Sequence, residues 1–329
     1  MGDAPVGGSR SAPAGAPATM STRAWAIFAA LSALWGIPYL FIKLAVNGGA
    51  TPGTLAWGRV VLGAIVLLAW AARAGTLHTL RGRWRWLAAY AIVEISIPFP
   101  LIAVGEQHVT SSLAAIIIAA VPLIVALLAL RFDRSERVGG LRLVGLVVGL
   151  LGVVLLVGID AAGRLSTLLG AAAILVAAVG YAAGPMILKR HLFDLDPRAA
   201  MGASLALAAV VLTPVAALDL PTRLPSATAL SAIAVLGLAC TAAGFALMAV
   251  LVVEVGAGRA LVITYINPVV AVALGVVVLG EQPGAGAIAG LLLILAGSWL
   301  STDGRLPPWR VGAARRSHRD EQALPLDGS

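Results

Sequence analysis

Apolar residues fill this chain in runs of around twenty, parted by short polar breaks, and inside each run apolar and polar positions do not alternate. A helix rising 1.5 Å per residue needs about twenty such residues to cross roughly 30 Å of hydrocarbon. Strands of a membrane barrel would alternate instead. The runs predict ten helices, at about 24–46, 53–72, 84–104, 109–130, 141–158, 167–189, 199–218, 227–250, 258–279 and 285–301. The breaks carry the expected stop signals: Asn47-Gly48-Gly49 before Pro52, Gly139-Gly140, Asp196-Pro197, Pro221 to Pro225, and Pro283-Gly284. The expected fold class is all-α integral membrane, with no stretch left over for a soluble catalytic domain.

Composition agrees with that pattern. Charged residues make up 12% of the chain, against about 25% in soluble domains, and mean hydropathy is +0.97. The net charge of +8 would suit a nucleic-acid partner, but the Arg residues sit in short loops and tails beside the apolar runs, so topology accounts for them and no nucleic acid is expected. With the N-terminus in the cytoplasm, nearly all Lys and Arg fall on that side, and only Arg164 and Arg223 lie in outer loops. The bias predicts a multi-pass protein of the plasma (inner) membrane with both termini cytoplasmic. Trp25, Trp84 and Trp86 are the expected interfacial anchors. Residues 1–22, rich in Gly, Ala, Pro and Ser, read as a disordered cytoplasmic tail, and residues 304–329 as a basic one. The single cysteine, Cys240, and four scattered histidines have no metal-ligand spacing, so no metal or cofactor is expected.

Sliding the chain against itself by about 145 residues aligns rare landmarks. Pro52 meets Pro197, Lys43 meets Lys189, Pro122 meets Pro268, Glu136 meets Glu281, Gly145 meets Gly290 and Gly152 meets Gly297. The alignment predicts two five-helix repeats, residues 24–158 and 167–301. Five is odd, so the second repeat would enter the membrane from the opposite side, the inverted plan of many alternating-access carriers.

Three groups of residues then carry a resemblance: Leu34-Trp35-Gly36 with Lys43, Ile266-Asn267-Pro268-Val269, and Leu279-Gly280-Glu281. On these the chain resembles the drug/metabolite transporter superfamily, in particular its ten-helix EamA-type carriers, over roughly residues 24 to 301. It departs from their pattern where Ser135-Glu136 replaces Gly-Glu, and where Tyr181 stands opposite Trp35. The resemblance implies efflux-type transport through a central cavity lined by helices one, three, four, six, eight and nine, with the last helix of each half at the periphery. It leaves the substrate open.

Carriage needs no covalent step, so the candidate residues are polar groups placed where hydrocarbon makes them costly. Glu94 lies mid-helix in Ala91-Ile92-Val93-Glu94-Ile95-Ser96, where an acid costs about 2.5–3.5 kcal/mol. It reads either as a binder of a substrate ammonium or of a coupled proton, or as a structural acid paired with Arg59. Arg59 reads either as that charge partner, able to reach a carboxylate, or as a side chain snorkelling outward from a helix outside the cavity. Lys43 and Lys189 each end the first helix of their half and read as gates or as helix-end complements to the dipole. Trp35, Tyr39, Tyr181, Thr264, Tyr265 and Asn267, with Ser96, are candidates for the substrate wall, packing being the alternative. Pro38, Pro98, Pro100, Pro122, Pro185 and Pro268 mark kinks, with Pro122 and Pro268 as candidate gating points. Gly145, Gly149, Gly152, Gly290 and Gly297 read as close-packing positions within each half or as a homodimer seam. Glu106, His108, Glu136, Glu254 and Glu281 read as solvated helix ends.

These readings favour a secondary-active exporter of amino acids or related small metabolites over an enzyme. No cluster of acids, histidines or metal ligands offers catalysis, and no nucleotide-binding loop offers another energy source. Drugs, lipid-linked sugars and nucleotide sugars remain open as substrates, and a non-transporting lipid-binding protein is the weaker alternative. The expected partners are a small polar metabolite, the bilayer and a coupling proton.

Overall fold

The computed structural model describes residues 21–132, 140–160, 164–256, 260 and 262–303. Every regular element among them is helical. Eight helices are long and apolar enough to cross a membrane: α1 (Thr22–Asn47), α2 (Pro52–Arg73), α3 (Trp84–Glu106), α4 (Ser111–Leu128), α5 (Leu141–Gly158), α6 (Leu165–Leu192), α7 (Pro197–Leu218) and α8 (Ala227–Val255). Two shorter apolar helices follow, α9 (Ile263–Leu279) and α10 (Ala285–Ser301). The expectations for the two tails, apart from residues 21 and 22, and for Ser135-Glu136 fall outside the described residues. Residues 21 and 22 are not tail: Ser21 accepts from the Ala24 N–H at 3.0 Å and caps α1.

Helices pack in a membrane where small residues let backbones approach. Accordingly α5 lies along α10, and α2 along α7. A Cβ added at Gly297 would enter the backbone of Gly149 and Gly145, and one at Gly152 or Gly290 would meet the facing helix in the same way. The glycine stripe therefore packs the last helix of one half on that of the other inside one chain, which corrects its readings as packing within each half and as a homodimer seam. The faces of α5 and α10 that look outward carry Val147, Leu151, Val154, Ile288 and Leu292, all exposed.

Several helices are broken, and not all by proline. Pro38 has no N–H to donate, and α1 divides at Ile37 into 22–36 and 38–47. Residues Ala91–Ser96 of α3 form a π-helical turn just before Pro98, where the Ile97 N–H reaches back five residues to Ile92 O at 3.0 Å. This is the kink expected beside Glu94. A second π turn, Leu236–Ala243, widens α8 with no proline in it. Helix α4 is interrupted between Ile118 and Val121, next to Pro122. Pro185 lies three residues before a third π turn, Leu188–Leu192 of α6, whereas Pro268 lies inside an uninterrupted stretch of α9.

Carboxylates cap helices across the fold at the end of the molecule where Lys43 lies. Glu281 accepts from the N–H groups of Ser111 (2.7 Å) and Ser112 (2.9 Å) and from Ser112 Oγ (2.5 Å), satisfying the first turn of α4. Asp219 accepts from the Gly53 N–H at 2.8 Å and so caps α2. Glu281 is thus a capping group and not a solvated acid. At the end where Lys189 lies, Arg83 donates to His191 O (3.0 Å) and Asp194 Oδ2 (2.6 Å). Trp86 stacks on the His191 ring at 3.4 Å, so of the expected anchors only Trp25 and Trp84 are exposed. Glu254 is also engaged, accepting from Ser21 Oγ at 2.5 Å with Arg23 4.0 Å away. Asp196 caps α7 locally, and the hydrogen bond from the Arg198 side chain holds its carboxyl below the usual range.

Candidate functional site

The π turn of α3 aims Glu94 at α6. There Gly184 leaves it room: a Cβ at that position would land on Glu94 Oε2. Oε2 is buried and has no hydrogen-bond partner, an arrangement whose cost in a low dielectric is several kcal/mol for an ionised group. Ser96 donates to Ala91 O at 3.0 Å, closing the turn that presents Glu94. Its proton therefore serves the backbone, while its oxygen can still accept a hydrogen bond.

Arg59 neither snorkels outward nor pairs with Glu94, which corrects those two readings and leaves the one in which it reaches another carboxylate. It is only 8% exposed. Its Nε donates to Thr241 Oγ1 at 2.9 Å, and its guanidinium lies 4.0 Å from the centroid of the Phe99 ring. Thr241 in turn donates to Leu236 O at 2.8 Å across the π turn of α8. Helix α2 thus carries a cation inward, and the cation–π contact and one neutral hydroxyl are what it meets there. Among the described residues Arg59 makes no ion pair.

Tyr181 joins these two charges. It is half-buried on α6, one turn before Gly184, and lies within electrostatic reach of both Arg59 and Glu94. Tyr39 on α1 is in reach of Tyr181 and Arg59, and Tyr90 on α3 of Glu94 and Tyr181. Tyr39, Tyr90 and Tyr181 are thus the phenols within electrostatic reach of Arg59 or Glu94. Among the described residues no three His, Cys, Asp or Glu side chains come together as a metal site.

The remaining candidates divide. Trp35 is half-buried and donates from Nε1 to Cys240 O at 3.2 Å, its ring edge-on to Phe245. It reaches the same π turn of α8 that holds Arg59. The Asn267 amide nitrogen donates to Ser32 O (3.1 Å) and Ile263 O (2.9 Å), tying α9 to α1 beside Pro268. Thr264 is half-buried one turn earlier on α9. Tyr265 donates from its hydroxyl to Ser298 O at 3.4 Å and sets its ring against Trp299, both on α10. Lys43 donates to the carbonyl oxygens of Glu106 (2.5 Å) and Val109 (2.9 Å), whereas Lys189 is exposed. Pro122 is half-buried at the break in α4.

Two residues escaped sequence reasoning. Thr241 looked like any hydroxyl in an apolar run, and its only signal was that it matches Ser96 in the internal repeat. Glu106 was read as a solvated helix end, yet it is 0% exposed, and both carboxylate oxygens are buried without a partner. Of that group His108 and Glu254 are exposed, and Glu136 lies outside the described residues.

The EamA-like transporter family matches this chain twice, over residues 23–158 and again over 168–302. An uncharacterized inner membrane transporter, YedA of Escherichia coli K12, is 31% identical over 264 residues, covering 78% of this chain and 83% of YedA. The YedA proteins of E. coli O6:H1 and O157:H7 match to the same extent. A solved crystal structure whose description states no function shares the fold, with a TM-score of 0.63 at 20% identity, covering 85% of this chain and 97% of its own.

Proposed function

We propose, from the fact that the chain belongs to the EamA-like transporter family, that it is a secondary-active carrier exporting amino acids or related small metabolites by alternating access. In this reading α1 to α10 all cross the plasma membrane, both termini are cytoplasmic, and the two family-matched halves are inverted relative to one another. The end of the molecule at Lys43 is then the outer one. Exchange of conformation between inverted halves would turn an inward-open carrier into an outward-open one around a fixed midplane site.

One observation carries the substrate class: Arg59 and Glu94 are both within electrostatic reach of Tyr181, and neither has an ion-pair partner among the described residues. A solute with a carboxylate for Arg59 and an ammonium for Glu94 supplies both partners at once, and charge-assisted hydrogen bonds of this kind are about twice as strong as neutral ones. The reading of Lys43 and Lys189 as gates follows from their unequal states, since one is bonded across to α3 and the other is exposed. A proton is the natural coupling ion for a site that contains a carboxyl.

The test is uptake of a panel of labelled amino acids into liposomes holding the purified protein, with and without a pH gradient, for wild type and Glu94→Gln. Flux that responds to the gradient in wild type and not in the variant is expected. Equal gradient response in both would return Glu94 to a structural role. No amino-acid flux from folded protein would overturn the substrate class.

A further inference from the structure

We infer that Glu106 is a second proton-binding group, neutral while the Lys43 end of the molecule is closed and ionised once that end opens. The inference rests on the proposed function only in taking that end to open and close. Glu106 is the last residue of α3, is fully buried, and has neither carboxylate oxygen hydrogen-bonded. An ionised carboxylate in that condition pays its desolvation with nothing returned, which a neutral carboxyl avoids.

The groups around it explain why no partner is at hand. From α1, Lys43 is the nearest cation in reach, but its amino group is occupied by the Glu106 and Val109 carbonyls at 2.5 and 2.9 Å and makes no ion pair with the carboxylate. Tyr39, one turn before Lys43, is the other titratable group on that helix. Glu281, from the turn after α9, repels a second negative charge and gives its own oxygens to Ser111 and Ser112 of α4. Helix α2 brings Arg59, which is held over Phe99 two turns back along α3. Helix α6 meets the neighbouring Gly105 through Ile174 and the Gly170 carbonyl. His108, two residues on, is exposed.

The same Lys43 contacts that close this end therefore keep the ammonium from the carboxylate. Separation of α1 from α3 would free Lys43 and admit water, and Glu106 would release its proton to that water. Closure would take one proton back. One proton bound per closure makes the open state more populated at higher pH, by up to about tenfold per pH unit.

The test uses whole protein in lipid nanodiscs, so neither transport nor orientation enters. In a Cys240→Ser background a reporter thiol is placed at the buried Leu113, near the start of α4, and its maleimide labelling rate is followed against pH. Dividing the rate by that of the same protein carrying Glu106→Gln cancels the thiol's own ionisation. The ratio is expected to climb with pH, and to climb likewise with Glu106→Asp. A ratio flat in pH overturns the inference, as does one that responds to exchanging sodium for potassium at fixed pH, which would make this a metal-cation site. Should Glu106→Gln not fold, infrared spectra of wild type and Glu94→Gln decide: a protonated-carboxyl band that persists without Glu94 supports Glu106 as the proton holder, and its absence rejects it. Failure here leaves the liposome result on amino-acid flux untouched.

Discussion

Ser96 and Thr241 stand at the same distance from the start of their family-matched segments and close the same kind of turn. Ser96 Oγ donates to Ala91 O at 3.0 Å and Thr241 Oγ1 to Leu236 O at 2.8 Å, each five residues back in a π turn. They differ in one respect: Thr241 also accepts from Arg59 at 2.9 Å. The duplicated turn is shared scaffold, and the added cation is what distinguishes one copy.

Thr241→Val should therefore cost more than Ser96→Ala. The serine change loses one local hydrogen bond, about 1 kcal/mol, while the valine leaves a buried charged donor unmet, about 1.5–3 kcal/mol. Repeating Thr241→Val in an Arg59→Met background should remove most of the difference, since the unmet donor is gone. A double-mutant cycle on unfolding in mixed micelles measures this, and strict additivity would mean the 2.9 Å bond carries no energy.

For Arg59→Gln the expected loss is in substrate affinity. A charge-assisted contact to a carboxylate is worth about 1.5–3 kcal/mol, or roughly 10–100-fold in half-saturation. The loss should appear with an amino acid and be absent with its amide, which offers no carboxylate. Equal loss with both would make Arg59 a packing residue.

Lys43 and Lys189 match in the internal repeat, yet only Lys43 is bonded across to another helix. Lys43→Met should lower stability by about 1–3 kcal/mol, because two carbonyls at the end of α3 lose their charged donor. Lys189→Met, at an exposed position, should stay within about 0.5 kcal/mol. Melting temperatures of the two variants in one lipid mixture compare them directly, and equal shifts would sink the assignment of a latch to the Lys43 end.

What could be seen in the sequence was whatever breaks an apolar run. Glu94 stands out because nothing polar surrounds it, and Pro38 and Pro98 announce their kinks because proline lacks a donor. The π turn of α8 gives no such notice: it contains no proline, and Gly237 and Thr241 are ordinary in a membrane helix. Arg59 was ambiguous for a related reason. Whether a long cation turns outward or inward depends on a hydroxyl that lies far along the chain on another helix. Glu106 looked solvated because it ends a helix, and only the packing of α1, α4 and α6 around that end buries it. The glycines of α5 and α10 were legible as close contacts, but their spacing could not say whether the facing helix belonged to the same chain.

Gly297 tests that last point. A Cβ there would overlap the backbone of Gly149 and Gly145, and backbone yields less than a side chain. Gly297→Ala should destabilise the monomer by about 1–3 kcal/mol through overpacking. Gly158→Ala, where an added Cβ meets nothing, serves as the control and should be neutral. A variant that melts like wild type but shifts the oligomeric state would instead put the stripe between chains.

Asp196 offers a pH test outside the membrane-spanning part. Its oxygens accept from the Arg198 and Ala199 N–H groups and from the Arg198 side chain, and that side-chain bond is the main reason its carboxyl lies below the ordinary value of 3.8. A lowered folded-state value means that the ionised carboxylate stabilises α7 at neutral pH. That stability is fully present above the unfolded value and is lost as pH falls through the folded one, since protonation removes the acceptor. Asp196→Asn should accordingly cost about 0.5–1 kcal/mol at neutral pH, an asparagine cap being nearly as good but unable to pair with Arg198. Unfolding free energies of the two proteins should converge as pH is lowered below about 4. A gap that stays constant down to acid pH would mean that the charge on Asp196 is idle and the cap geometry alone does the work.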